Sequence, residues 1–383
     1  MRVKLKQAFD LQMGKTPARN VADYWNGCYS WVSIADLGNI SNKYIVSTRE
    51  KITDRGIADS KIKIVPKGTV IMSFKLSIGK TAITSEDMYT NEAIIAFHNR
   101  GIYNIDTEYL YYFCCGTDWG IGTNKAVMGL TLNKKTLSER EIEIPDIALQ
   151  RKVVARLNKI DAIINRRRQQ LQELDRLVKS RFIELFGTET EMGRWETTNV
   201  GDVADVCVGV VIKPSQYYCT DGIPAFRSLN IGKMQVKDSD WVFFTPEGHQ
   251  KNQKSVIREN DVLVVRSGAP GTACVATEKY DGFNAIDIII AHPDTSRVNS
   301  VFLAMFTNMP HGMNQIQEKT GGAAQQHFNV GGYKSLQMIL PPMAMQEQFA
   351  VFVEQTDKSK LAVQKSLDEL ETLKKSLMQQ YFG

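Results

Sequence analysis

The chain has 383 residues, of which 43% are hydrophobic, 23% charged and 9% aromatic, and its formal net charge is +5. This composition excludes an intrinsically disordered chain, and the length indicates two or three domains. There is no run of about 18 apolar residues, and the charged start Met1–Lys6 lacks the apolar core of a signal peptide. We therefore expect a soluble protein of the cytoplasm that does not associate with membranes.

The cysteines show no pattern of a metal site or of a disulfide framework. The six are Cys28, Cys114, Cys115, Cys207, Cys219 and Cys274. None forms a CxxC pair, and no histidine stands at ligand spacing from them. We expect buried thiols in a reducing compartment and no bound metal.

Short apolar strands that follow turn signals are predicted within residues 1–148. The run 66–73 passes from Pro66 and Gly68 into apolar residues, and Gly79 leads into Ala82 and Ile83. This pattern is typical of a globular α+β domain.

A long helix is predicted over residues 149–187. Apolar residues recur at alternating steps of three and four, as at Val153, Leu157 and Ile160, which is the spacing of a coiled-coil seam. Prolines and glycines are absent from its interior, and Pro145 stands just before its start, where proline is tolerated. The segment 151–187 carries ten basic side chains against four acidic ones, including Arg166-Arg167-Arg168.

Residues 188–344 repeat the features of the first domain. The run 258–265 resembles 66–73, Pro270–Val275 resembles Ile78–Ile83, and Ile223–Ile231 resembles Tyr29–Leu37. The two regions therefore share a framework and differ in their other residues.

Residues 345–383 repeat the long helix. Its end, Tyr381-Phe382-Gly383, matches Leu185-Phe186-Gly187 at an offset of 196 residues, and the same offset aligns Gln346 with Gln150. The sequence thus predicts an internal pseudo-twofold duplication: two similar globular domains, 1–148 and 188–344, joined by two long helices. Antiparallel pairing of the helices is favoured because each domain runs directly into its own helix, and helices of this length would hold the domains about 55 Å apart.

No enzymatic motif is complete in this chain. Gly14-Lys15-Thr16 and Gly79-Lys80-Thr81 end like phosphate-binding loops, but Phe9 and Phe74 stand where the first glycine is required. Lys125 occupies the third-glycine position of a dinucleotide fingerprint that would begin at Gly120. We expect no catalytic site and no cofactor here.

The duplicated domains with their helices resemble the specificity subunit of type I restriction-modification enzymes. The most specific residues are Ile144-Pro145 through Gln150 and their repeat, Leu340-Pro341-Pro342 through Gln346. The resemblance covers nearly the whole chain. It implies two target-recognition domains, each reading one half of a split, asymmetric sequence in double-stranded DNA.

The resemblance also implies partners. The helices would set the separation of the half-sites and dock two copies of a modification subunit, which binds S-adenosylmethionine and methylates adenine. A restriction subunit that uses ATP and magnesium can join. These cofactors are therefore expected on the partner subunits.

Polar and basic residues in turns between strands are the natural readers of base edges. The DNA-binding candidates in the first domain are Lys15, Thr16, Arg19, Lys43, Lys75, Ser77, Lys80 and Lys125. Those in the second domain are Lys213, Arg227, Asn230, Lys233, Arg266, Ser267, Gln325 and Gln326. For each residue taken singly, an ordinary solvated surface role is the alternative.

The candidates for subunit docking lie on the two predicted helices. They are Leu157, Ile164, Arg167, Leu171, Leu174, Leu367, Leu370 and Leu377. Arg167 falls on the seam and would need a carboxylate partner if buried. A contact of this basic segment with DNA phosphate and an ordinary solvated helix face are the alternatives.

Two other functions are compatible with parts of the pattern. A non-enzymatic scaffold with paired helices and two ligand-binding domains would bind peptide or carbohydrate instead of DNA. An autonomous methyltransferase is disfavoured by the missing cofactor loop. Steep weakening of binding with salt would distinguish DNA binding from the scaffold function.

Overall fold

The computed structural model describes residues 1–40, 42–75, 77–120, 124–126, 129–320 and 327–383, with the side chains of 124–126, 129–131 and 192 left out of the description. The chain divides into two compact units. Unit 1 comprises Met1–Arg168 with Lys365–Gly383, and unit 2 comprises Gln169–Gln364. Each of the two long helices therefore contributes a part to both units.

Unit 1 begins with a domain of short strands and helices that leads into a long helix. Its strands are β1 (Arg2–Lys4), β2 (Phe9–Met13), β3 (Trp25–Val32), β4 (Tyr44–Ile45), β5 (Glu50–Ile52), β6 (Val70–Ser73), β7 (Thr81–Thr84), β8 (Tyr89–Thr90), β9 (Ile94–Asn99), β10 (Asn124–Ala126), β11 (Gly129–Thr131) and β12 (Glu141–Glu143). Its helices are α1 (Leu5–Ala8), α2 (Ile34–Gly38), α3 (Asp54–Ser60), α4 (Thr107–Gly116), α5 (Lys134–Ser138) and the start of α6 (Ile147–Phe186), with a 3-10 turn at Ala22–Tyr24.

The main sheet of unit 1 has the strand order β2-β9-β6-β7-β4, and a smaller sheet has the order β5-β3-β8. All pairs in the main sheet are antiparallel except β4 with β7. One face of the sheet packs on α4 through residues such as Phe9, Val70 and Phe113, and the other buries Ile71 and Ile94. Burial on both faces explains why β6 reads as a continuous apolar run rather than an alternating one.

Unit 2 repeats this arrangement. Its strands are β13 (Thr197–Asn199), β14 (Ala204–Val208), β15 (Tyr218–Cys219), β16 (Ile223–Phe226), β17 (Ile231–Gly232), β18 (Gln235–Val236), β19 (Val242–Phe244), β20 (Val262–Val265), β21 (Ala273–Val275), β22 (Asn284–Ala285), β23 (Ile288–Pro293) and β24 (Gln337–Ile339). Its helices are α7 (Pro246–Lys251), α8 (Ser300–Asn308), α9 (Pro310–Thr320), α10 (Val330–Lys334) and the start of α11 (Met343–Phe382). Short 3-10 turns lie at Glu189–Arg194, Val200–Asp202, Pro214–Tyr217, Ser228–Asn230, Gln253–Ser255 and Glu278–Tyr280.

The two units share a strand order. The main sheet of unit 2 is β14-β23-β20-β21, which corresponds to β2-β9-β6-β7 of unit 1. In both units a glycine precedes the last of these strands, and Gly79 and Gly271 have the same φ of +87°. This backbone conformation strains any other residue, and a Cβ on Gly271 would lie 2.7 Å from Ile316 Cδ1.

The long helices repeat in both length and position. Helices α6 and α11 have 40 residues each, and both ends of α11 lie 196 residues after those of α6. In unit 1, Asp161 pairs with Lys374 while the later Arg168 pairs with the earlier Glu371, so the helices run antiparallel. In unit 2, Asp175 pairs with Lys360, while the later Phe182 contacts the earlier Phe349. The helices therefore run antiparallel there as well. The predicted α+β class, the duplication and the antiparallel pairing are thus confirmed.

Candidate nucleic-acid and partner-binding surfaces

A buried glutamine near the start of each long helix holds that helix to its domain. In unit 1, Gln150 is fully buried. Its side-chain oxygen accepts the N–H of Asp106 at 2.9 Å, and its amide donates to the carbonyls of Asn104 and Pro145 at 2.9 Å each. Asp106 is the N-cap of α4, so the first turns of α6 are fixed against α4.

The same arrangement recurs in unit 2. Gln346 is fully buried and accepts the N–H of Asn299, the N-cap of α8, at 2.9 Å. Its amide donates to the carbonyls of Pro341 at 2.8 Å and Arg297 at 3.3 Å. The glutamines noted in the sequence therefore have one structural role in both repeats.

A half-buried polar network joins the first domain to α6. Lys43 Nζ lies 2.6 Å from Glu108 Oε2 and also contacts the Asn158 side chain, which donates to Glu108 at 2.7 Å. Burial raises the pKa of Glu108, but its hydrogen bonds outweigh that effect and bring the pKa below its usual value. The side chain of Lys43 is only 18% exposed, so its ammonium is engaged within unit 1.

The network continues to α11 through a tyrosine on α4. The Tyr112 hydroxyl lies 2.8 Å from Asp161 Oδ2, and Asp161 Oδ1 accepts from Lys374 Nζ at 2.6 Å. Both charged side chains are at most one-third exposed. The contact sets α4 and both long helices in one register in unit 1.

The remaining DNA-binding candidates of the first domain differ in their exposure to solvent. Lys15 and Lys80 are exposed, as is Ser77. Lys75 is half-buried, with its ammonium 5.4 Å from the centre of the Phe74 ring. The side chain of Lys125 lies outside the described residues.

Thr16 and Arg19 lie near the tryptophans of β3. Thr16 donates to Glu92, and Arg19 pairs with Glu50. The Arg19 guanidinium also stacks 4.0 Å from the centre of the Trp25 ring. Arg19 is therefore held in an ordered, exposed position.

In unit 2, two candidates line one cavity of about 440 Å³, Lys233 and Ser267. Lys213 is exposed in a left-handed conformation with a φ of 45°. Arg266 Nη1 pairs with Asp287 at 2.7 Å, and its side chain is 21% exposed. Gln325 and Gln326 lie outside the described residues.

Asn230 and Arg227 serve the local structure of the turn that they share. Asn230 is fully buried, and its amide donates to the Ser239 carbonyl at 2.7 Å while its oxygen accepts the Arg227 N–H at 2.9 Å. Asp36 occupies the equivalent place in unit 1 and accepts the Ser33 N–H at 2.8 Å. Asn230 therefore caps a turn, and its side chain does not reach the protein surface.

The predicted docking residues mostly face the interior of their own unit. Leu157, Ile164 and Leu367 are at most 6% exposed, and Arg167, Leu171, Leu174, Leu370 and Leu377 are half-buried. Leu157 packs with Tyr109, Tyr112 and Met378. Leu157 thus packs against α4 and α11, an internal role that the periodicity alone does not distinguish from a partner contact.

Two exposed leucines on the outer faces of the long helices were not among the candidates. Leu177 and Leu373 are 49% and 48% exposed, and they stand at equivalent positions in α6 and α11, 196 residues apart. The sequence aligns these two leucines through the 196-residue offset, but their exposure to solvent is visible only in the structure.

Within the described parts of the chain, no helix is long and apolar enough to cross a membrane. Among the same residues, no group of three or more His, Cys, Asp or Glu side chains is placed to hold a metal ion.

These features define a duplicated α+β protein in which each domain is fixed to a long helix. Residues 1–176 match the family described as type I restriction modification DNA specificity domain. Over 98% of this chain and 90% of the relative, it is 23% identical to the type I restriction enzyme MjaIX specificity subunit of Methanocaldococcus jannaschii. It is 25% identical to the EcoR124I/EcoR124II specificity subunit of Escherichia coli over 40% of this chain and 38% of the relative.

Solved structures share the fold. An S subunit of a type I restriction-modification system from M. genitalium superposes with a TM-score of 0.53 at 12% identity, covering 100% of this chain and 96% of that one. A structure that addresses complex assembly and conformational transition of the type I restriction-modification system gives 0.58 at 16% identity, covering 100% and 97%. The chain is thus similar over nearly its whole length to a type I restriction enzyme specificity subunit, and it shares the fold of solved S subunits, as its sequence features predict.

Proposed function

We propose that each unit reads one half of a split, asymmetric target in double-stranded DNA. The observation that carries this proposal is the duplication of one framework with different residues on its turns. Identical domains related by a twofold would read a palindrome, whereas diverged domains read two different half-sites. Equivalent main sheets and equivalent glutamine contacts support the shared framework.

The reading surface that we propose uses the turn residues that reach solvent and leaves out those whose side chains are fully or mostly buried inside a unit. In the first domain it includes Lys15, Lys80 and Arg19. In the second it includes Lys213 and, around the cavity of about 440 Å³, Lys233 and Ser267. Lys43 and Asn230 are excluded because the side chain of Lys43 is only 18% exposed and Asn230 is fully buried, each with internal partners.

The partner that we propose is a modification subunit, bound in two copies by the long helices. Leu177 and Leu373 support this because two copies of one partner need two equivalent contacts, and these leucines are exposed to the same extent. S-adenosylmethionine would bind that subunit, and ATP and magnesium would bind a restriction subunit where one joins.

Mapping of methyladenine tests the proposal directly. The chain is expressed with its modification subunit, and methylated sites are compared across a genome with and without the chain. We expect one split, asymmetric motif that depends on the chain. Absence of new methylation, with both proteins present and assembled, would favour the scaffold function instead.

A hybrid protein tests whether the two domains read their half-sites independently. Exchanging residues 1–148 for the first domain of a relative should change one half of the motif and leave the other half and the gap unaltered. A change in both halves would contradict independent reading. In binding assays, replacement of Lys213 by alanine should weaken binding to all sequences and reduce the salt slope by about one.

A further inference from the structure

Three neighbouring strands of unit 2 bring together a thiol, an imidazole and a carboxylate. Cys207 lies in β14, His292 in β23, and Asp261 immediately precedes β20, while β23 lies between the other two strands in the sheet. The register places Val262 opposite Ala291, so Asp261 lies beside His292. On the other side, Cys207 is the diagonal neighbour of His292, which is opposite Asp205.

The three side chains are in sequential contact. Asp261 Oδ1 lies 2.6 Å from His292 Nδ1, and His292 Nε2 lies 3.7 Å from Cys207 Sγ. Asp261 is 2% exposed and the His292 side chain 18% exposed, whereas Cys207 is partly exposed. A carboxylate that orients an imidazole, which in turn contacts a thiol, is the arrangement that activates cysteine nucleophiles.

We propose that Cys207 is a reactive thiol, activated by His292 and oriented through Asp261, and that small hydroperoxides oxidise it to sulfenic acid. The thiol proton passes to solvent, the Nε2–H of the His292 imidazolium stabilises the thiolate, and the thiolate sulfur attacks one peroxide oxygen. The S–O bond forms as the O–O bond breaks, and the leaving oxygen receives its proton from His292 Nε2. For hydrogen peroxide the products are the sulfenic acid and water; sulfur is oxidised and the peroxide reduced.

The electrostatics of His292 support this site. Its hydrogen bond with Asp261, together with the contact to Cys207, raises the pKa of His292 to about 9. The imidazole therefore carries a positive charge at neutral pH. A cation beside a cysteine stabilises the thiolate, which is the reactive form.

The equivalent position in unit 1 lacks the arrangement. His98 lies opposite Asp10 as His292 lies opposite Asp205. There, however, Gln12 replaces Cys207, and Thr69 precedes β6 where Asp261 precedes β20. Gln12 donates to the Lys63 carbonyl at 3.1 Å much as Cys207 donates to that of Lys254 at 3.2 Å.

The comparison distinguishes a contact that both units share from the thiol, imidazole and carboxylate found in unit 2. Both units place a side chain with a polar contact to a carbonyl at this position, whereas a thiol beside a histidine and a carboxylate is found here in unit 2. Burial lowers the pKa of His98, the opposite of the direction at His292. The constellation is therefore a property of unit 2.

A hydroperoxide fits the site because its reduction needs only access to the sulfur and a proton donor for the leaving oxygen. Both are present at Cys207. The parent protein offers a matched reference in Cys219, which is also partly exposed in unit 2 and donates to the Asp221 and Phe243 carbonyls instead of contacting a histidine.

In the experiment, the full chain is treated at pH 7 with hydrogen peroxide and a dione that traps sulfenic acid. The rate of sulfenic acid formation at each cysteine is then measured by mass spectrometry. A free cysteine is about 3% thiolate at this pH, so thiolate stabilisation should make Cys207 roughly tenfold faster than Cys219. Equal rates for the two cysteines in the unsubstituted protein would overturn the proposal without any variant.

Variants assign the roles of the neighbours. His292→Gln should bring the rate at Cys207 down to that of Cys219, and Asp261→Asn should lower it several-fold. His98→Gln is the matched control in unit 1 and should leave the rate at Cys207 unchanged. A fast Cys207 that persists in His292→Gln would refute activation by the imidazole.

Discussion

Gln150 and Gln346 show how much a single side chain contributes to the position of a domain. Each one satisfies an N–H and two carbonyls that are otherwise enclosed between a long helix and its domain. Substitution of Gln150 by methionine keeps the length of the side chain but leaves these three groups unpaired. At ~1 kcal/mol or more for each group, unit 1 should lose about 3 kcal/mol of unfolding free energy.

Hydrogen exchange read by mass spectrometry measures this loss unit by unit. Gln346→Met should act on unit 2 by a similar amount and leave unit 1 unaffected. Gln172→Met is the control because Gln172 is exposed on the same helix as Gln150, and it should cost less than ~0.5 kcal/mol. Equal losses in Gln150→Met and Gln172→Met would exclude the proposed role.

His98 and His292 stand at equivalent positions in the two units. Their contributions to stability should depend on pH in opposite directions. The pKa of His292 is about 9 in the folded chain against 6.5 as its ordinary value. Its ionic contact therefore stabilises unit 2 fully below pH 6.5, and this contribution disappears as the pH rises through 9. The pKa of His98 is lowered by burial, so its contribution is present above 6.5 and is lost as the pH falls.

Thermal unfolding of the two histidine variants across pH 5 to 10 checks both signs, because this range extends below the ordinary histidine value of 6.5 and above the pKa of about 9 at His292. The difference in Tm between the parent and His292→Gln should be largest at low pH and should shrink toward the upper end. For His98→Gln the difference should be largest above pH 6.5 and should shrink as the pH falls below that value. A constant difference for His292→Gln would contradict an ionic contact with Asp261.

At the scale of elements, the pairing of the long helices depends on half-buried charge pairs. Asp161 and Lys374 are 22% and 33% exposed, and the Tyr112 hydroxyl also lies against the carboxylate. Asp161→Asn leaves the ammonium of Lys374 without its carboxylate, which should cost unit 1 about 1–2 kcal/mol. Urea unfolding of single and double variants with Lys374→Met gives the coupling between the two side chains.

The exposed pair Glu173 and Arg176 on α6 is the matched control. Their side chains are 53% and 71% exposed at a distance of 2.9 Å, and such a pair contributes only a few tenths of a kcal/mol. A coupling for Asp161 and Lys374 no larger than that of the control would mean that apolar packing alone sets the register.

The sequence predicts the elements better than it predicts their contacts. An apolar seam without proline or glycine predicts the first long helix closely: residues 149–187 are expected, and Ile147–Phe186 are found. Lys43 and Asn230 look like free turn residues in the sequence, yet an ion pair and a buried amide engage them. Cys207, Asp261 and His292 form no motif because only the strand register brings them together.

At the scale of the whole molecule, the duplication of the helices predicts the stoichiometry of the partner. Because Leu177 and Leu373 occupy equivalent, exposed positions, each should lie in one of two equal contacts with a modification subunit. A single Leu177→Arg or Leu373→Arg substitution places a charge in one contact, which should weaken it about tenfold or more. The other contact should keep its affinity.

Mass measurement of the purified complex tests this stoichiometry. Either single variant should bind one modification subunit where the parent binds two, and the double variant should bind none. Leu361→Arg is the control, because Leu361 is 73% exposed but its equivalent in α6 is the polar Asn165. If the single variants still bound two subunits while Leu361→Arg lost one, docking would follow a face of α11 that α6 does not share, and the twofold argument would fail.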